Sequence, residues 1–99
     1  MKKSLDEVKE LEHLPNIGKA IATDLRSIGI ELPDQLKIRE PLEVFNELAD
    51  VMGHRHDPCL LDVLISAKRF LEGEAAKPWW SYTSERRMLL ANYLKEESQ

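Results

Sequence analysis

The chain has 99 residues, 42% of them hydrophobic, with one cysteine, 14 Lys/Arg against 18 Asp/Glu and a formal net charge of -4. That is enough apolar material for one modest core and too little for two, and a single cysteine excludes an internal disulfide. A pI near 5.4 argues against the strongly basic surface of a tight, salt-sensitive nucleic-acid binder.

The charge is uneven: residues 1–30 carry five Lys/Arg and five Asp/Glu, residues 31–57 three and seven, and residues 58–99 six and six. All the acidic excess lies in the middle third, which should face water or a basic partner. No apolar run is long enough for a signal peptide or a membrane span, and lone Cys59 fits a reducing compartment, so the expectation is a cytoplasmic protein away from membranes.

Ser4 with Glu7 three positions on is a capping-box pair. Leu5, Val8 and Leu11 follow at helical spacing and predict a first helix over Leu5–His13. Leu14-Pro15-Asn16-Ile17-Gly18-Lys19 then reads as a tight hairpin against the start of a second helix. Pro15 presets a turn angle, Asn16 tolerates positive φ, Gly18 can take backbone angles closed to other residues, and Ile17 is the buried peg. Ile21, Leu25 and Ile28 line one face of the second helix, and Gly29 is placed to end it.

Pro33 opens a short helical turn ending near Leu36. Pro41 begins a third helix with Val44, Phe45, Leu48, Val51 and Met52 as its apolar face, stopped by Gly53. Asp57-Pro58 reads as an N-cap and first helical residue of a fourth, with Leu60, Leu61, Leu64, Ala67, Phe70 and Leu71 inward and Gly73 as its stop. An aromatic loop, Lys77-Pro78-Trp79-Trp80-Ser81-Tyr82, lies across the core with one indole buried and the other partly exposed. Thr83 or Ser84 caps a last helix through about Leu94. No segment alternates as a half-buried strand does. The expectation is an all-α single domain, 1–99, of about five short helices: a helical pair at 5–28, a degenerate second pair at 41–72, and the aromatic loop with the C-terminal helix at 77–95.

The run Leu14-Pro15-Asn16-Ile17-Gly18-Lys19-Ala20-Ile21-Ala22 resembles a helix-hairpin-helix motif. Many DNA-binding members of that class carry glycine at the position of Asn16, whose amide is placed either to crowd a phosphate or to hydrogen-bond to it. With Asp57-Pro58-Cys59-Leu60-Leu61-Asp62 and Pro78-Trp79-Trp80-Ser81-Tyr82-Thr83, nearly the whole chain resembles the bacterial pathogenicity-locus family, small helix-hairpin-helix proteins sometimes labelled mitomycin-resistance proteins. A more distant likeness is to the C-terminal domain of the competence regulator TfoX. The resemblance implies a double helix-hairpin-helix-like, SAM-domain-like arrangement and a hairpin that grips nucleic-acid backbone without reading sequence.

Candidate contacts for a DNA backbone are therefore Asn16, Ile17, Gly18 and Lys19, with Arg26 as a flanking charge, acting through amides at a helix N-terminus. The alternative is a structural turn in a domain that contacts a protein partner instead. His54, His56 and Cys59 are metal-ligand types within six residues, but their spacing matches no zinc module and the plainer reading is a capped helix start. Cys59 in a first helical turn could be a reactive thiol, and is read as a packing residue. Paired carboxylates, a nucleotide-binding glycine loop and a serine–histidine arrangement are all missing, so neither an enzyme nor a cofactor is expected.

Overall fold

A computed structural model describes residues 4–52 and 58–97. Among them are five α-helices and no strand: α1 Lys19–Ser27, α2 Pro33–Lys37, α3 Pro41–Met52, α4 Cys59–Leu71 and α5 Thr83–Glu97, with short 3-10 turns at Leu5–Glu7, Leu11–His13 and Trp79–Tyr82. None of these helices is long and apolar enough to cross a membrane. The expected stop at Gly53, the cap at Asp57 and the residues His54 and His56 lie outside the described residues.

The helix ends follow local chemistry. Gly29, at φ +89°, donates to the Arg26 carbonyl at 3.1 Å while Ile30 donates to Leu25 at 3.0 Å. Gly73, at φ +110°, repeats the pattern with Phe70, and Glu74 donates to Arg69. Both are Schellman caps, which need a residue at positive φ just past the helix. Gln35 Oε1 accepts from the Glu31 and Leu32 amides at 2.7 and 2.9 Å, capping the start of α2. At its other end, the Lys68 ammonium donates to the Lys37 and Arg39 carbonyls.

The predicted first helix is replaced by two separate 3-10 turns. Glu7 Oε1 accepts from the Ser4 amide at 3.1 Å, so the N-terminal bond of the capping pair forms, but it closes a single turn. His13 Nδ1 reaches back to the Lys9 and Glu10 amides at 3.1 and 3.3 Å, and the backbone is extended at Val8 and Glu10. Each turn is satisfied by its own side chain. A nine-residue helix is marginal without a packed face, and of Leu5, Val8 and Leu11 only Leu11 is fully buried. Their three-residue spacing suits i→i+3 turns as well as an α-helix.

The core gathers on α4. Residues Leu61 to Ala67 are buried without interruption, because α2, α3, α5 and the Trp79–Tyr82 turn all pack around this helix. Of the residues expected inward, Leu61, Leu64, Ala67, Phe70 and Leu71 are buried and Leu60 is half-buried, while Asp62, Val63, Ile65 and Ser66, outside that expected face, are buried as well. Asp62 accepts from Thr83 Oγ1 at 2.7 Å and Arg86 Nε at 2.9 Å. Thr83 is thus the first residue of α5, its hydroxyl turned to α4 and not to its own helix, and α5 continues past the expected end at Leu94 to Glu97. In α3, Val44, Phe45 and Leu48 are buried as expected, whereas Val51 is exposed.

Arg86→Ala should cost about 3–5 kcal/mol in urea unfolding, since it leaves a fully buried carboxylate without its cation. Tyr82 offers a contrasting case: its hydroxyl is buried with no hydrogen-bond partner among the described residues, and burial raises its pKa. Tyr82→Phe should leave stability unchanged or raise it by roughly 1 kcal/mol in the same measurement.

Candidate nucleic-acid interface

The hairpin between the Leu11–His13 turn and α1 has a buried underside and an open tip. Leu14, Pro15 and Ile17 are buried, while Gly18, Lys19 and Ala20 are exposed. Among the described residues, Asn16 is the non-glycine residue with positive φ, at 65°. Gly18, by contrast, sits at φ −97°, a conformation open to other residues, and a Cβ added to it would meet nothing within 4 Å. The expectation that Gly18 supplies a special backbone angle is corrected: Asn16 makes the turn.

The Asn16 amide points inward. Its Nδ2 donates to Ser66 Oγ on α4 at 3.1 Å and to the Lys77 carbonyl at 2.9 Å. Ser66 in turn donates to Val63 at 2.7 Å, so its hydroxyl is used in both directions. The side chain therefore neither blocks the tip nor offers a donor there; it bolts the hairpin to α4 and to the start of the aromatic loop. Ile17 is fully buried, backbone included, and its N–H donates to the Leu14 carbonyl at 3.3 Å, so it is the peg of the hairpin and not part of its outer surface.

The first intrahelical bond of α1 runs from Ala22 to Gly18 at 3.0 Å. Upstream of it, the N–H groups of Gly18, Lys19 and Ala20 make no hydrogen bond among the described residues, and Gly18 has no side chain with which to cap them. Three exposed backbone donors at the positive end of a helix, with the Lys19 ammonium beside them, form an anion-attracting tip.

Arg26 is held apart from this tip by a bidentate pair with Glu12, at 2.9 Å from Nη1 and 2.7 Å from Nη2. That contact, first through the hydrogen bond from Arg26, lowers the Glu12 pKa to about 2 and raises that of Arg26. Arg39 pairs with Glu43 and Glu47, Arg69 with Glu72, Glu74 and Glu85, and Arg86 with Asp62. The acidic middle third thus meets a cation of its own at Arg39. A cavity of about 360 Å³ between the start of α3, α4 and α5 is lined by Lys68 and Arg69, both already engaged in these internal contacts.

Of the metal-ligand candidates, only Cys59 falls among the described residues, half-buried in the first turn of α4. No group of three His, Cys, Asp or Glu side chains gathers there to hold a metal. The aromatic loop divides, with Trp80 63% exposed as expected, but Trp79 packs only half-buried against the core where a buried indole was expected.

The Glu12–Arg26 contact gives a pH signature. A carboxyl whose pKa is lower in the folded state contributes stability above its unfolded value, 4.5, and loses it as the pH falls toward about 2. A carbon-detected NMR titration should place the Glu12 midpoint near 2, and Arg26→Ala should return it toward 4.5.

The family model described as "Pathogenicity locus" matches residues 4–88. The chain is 44% identical over 82 residues to the mitomycin resistance protein McrB of Streptomyces lavendulae, a match covering 83% of this chain and 78% of that protein. No solved structure matches it. With most of its length matched by both comparisons, the chain belongs to the pathogenicity-locus family.

Proposed function

We propose that this protein is a small non-enzymatic helix-hairpin-helix module that contacts DNA backbone through the hairpin tip, weakly and without regard to base sequence. The observation that carries this reading is Gly18. Neither its φ of −97° nor its surroundings, empty within 4 Å of a built Cβ, require glycine for the fold. Bare backbone at that point instead lets an outside group come close to the Lys19 and Ala20 amides, as a phosphate oxygen must. The module would position a nucleic acid and leave chemistry to others, which suits an accessory role in DNA repair or uptake in the bacterial cytoplasm. With one lysine beside the tip and Arg26 neutralised by Glu12, affinity should be modest and strongly salt-dependent.

A second reading, a protein-interaction domain that no longer binds nucleic acid, is favoured by Leu32 and Ile38. These side chains, 55% and 81% exposed, flank α2 in the acidic middle third and would suit a partner with apolar and basic groups.

Titration with duplex and single-stranded DNA at low salt separates the two. Under the nucleic-acid reading both bind, at roughly 10⁻⁴–10⁻⁶ M near physiological salt. Lys19→Glu abolishes binding, and Gly18→Ala weakens it while changing stability by no more than about 1 kcal/mol. Absence of binding at low salt would sink this reading and leave the protein-interaction one.

A further inference from the structure

We infer that Trp80 is a base-stacking platform joined to the hairpin tip, so that the nucleic acid suited to this face is single-stranded. This rests on the hairpin reading above. The joint is the hydrogen bond from Asn16 Nδ2 to the Lys77 carbonyl, 2.9 Å, which ties the hairpin to the segment carrying the indole across 61 positions of sequence. Gly18 to Ala20 lie two to four residues beyond Asn16, and Trp80 lies three beyond Lys77. At no more than about 3.6 Å per residue, the backbones of the tip and of Trp80 stand within roughly 35 Å of each other, the reach of several nucleotides of extended strand.

The turn that carries Trp80 is fixed from both sides. Ser81 donates to the Pro78 carbonyl at 3.0 Å, closing it. Trp79 packs against the core and meets the Trp80 ring edge-on, with centroids 5.5 Å apart and planes at 83°, and Tyr82 is buried on the other flank. Trp80 is thus held outward by a rigid turn at 63% exposure, without the cost of ordering a mobile loop.

The charges beside it fit a phosphate strand. Lys77 and Arg87 are exposed, and Arg87 makes no ion pair among the described residues. Lys77 has only a loose contact with Glu74, at 3.7 Å. The turn runs directly into α5, which puts Arg87 about two helical turns along from Trp80 and close to the same side of the rod. An indole flanked by cations offers one base a stacking face and its neighbouring phosphates counter-charges. In a duplex the base faces are already stacked on each other, so this arrangement favours unpaired bases.

The test uses the full chain with two probes, an oligothymidylate and a blunt duplex of matched length, at low salt. In the Trp79→Phe protein the remaining tryptophan is Trp80, and its fluorescence should be quenched by the oligothymidylate. Trp80→Ala should weaken oligothymidylate binding roughly tenfold while leaving duplex binding and thermal stability nearly unchanged. Glu74→Gln should strengthen the single-strand complex by freeing Lys77. Equal affinity for both probes, unaffected by Trp80→Ala but weakened by Gly18→Ala, would overturn the stacking platform and leave the hairpin reading intact. Binding of neither probe would overturn both and return Trp80 to the role of a protein contact.

Discussion

The fold depends on one constraint: α4 is buried on all sides from Leu61 to Ala67, and it carries two polar side chains into the middle of the molecule. A buried carboxylate or hydroxyl must find partners or destabilise the fold by more than a typical contact contributes. Asp62 and Ser66, one helical turn apart, find theirs in opposite parts of the chain. Asp62 draws in Thr83 and Arg86, which docks α5. Ser66 accepts from Asn16, which docks the hairpin. The apolar core alone would hold these elements against α4 without fixing their registration; the polar bonds are directional and do.

The same constraint shapes the candidate site. With its amide engaged at Ser66 and Lys77, Asn16 leaves the outer surface of the hairpin to backbone, so the exposed donors there belong to Gly18, Lys19 and Ala20. The link to Lys77 also makes hairpin and aromatic turn neighbours, though neither sequence segment hints at the other. Meanwhile Arg26, Arg39, Arg69 and Arg86 are each drawn to carboxylates of this chain. At the hairpin and the aromatic turn, what remains for an external anion among the described residues is therefore Lys19, Arg87 and the loosely held Lys77, a small positive reserve in a chain of net charge -4. Any electrostatic attraction to phosphate must be local and readily screened by salt.

The parts of this architecture legible in the sequence are those determined within a few residues. Gly29 and Gly73 end α1 and α4 because a left-handed residue just past a helix satisfies its last carbonyls, and glycine adopts that conformation at least cost. Pro33 and Pro41 open α2 and α3 for an equally local reason. The segment Leu5–His13 misled because a three-residue apolar spacing is shared by α and 3-10 geometry. The choice was made by the Glu7 and His13 side chains bonding to amides nearby and by a core that receives only Leu11. Asp62 escaped notice because nothing around it distinguishes an aspartate in a first helical turn, ordinarily a solvated dipole partner, from one wholly enclosed.

By itself, then, the sequence determined an all-helical chain, the positions of its five α-helices to within a few residues, the family it resembles and the hairpin as its candidate contact. These rest on periodicity, caps and turn residues, whose physics is short-ranged. Only the tertiary structure decided which way Asn16 faces, that Gly18 and not Asn16 forms the bare tip, that Asp62 is the buried anion, and that Trp80 is the exposed indole while Trp79 packs half-buried against the core. Each of these outcomes is set by partners 21 to 61 residues away or by what the packed helices leave uncovered. No local pattern specifies which distant group will be waiting when a polar side chain leaves water.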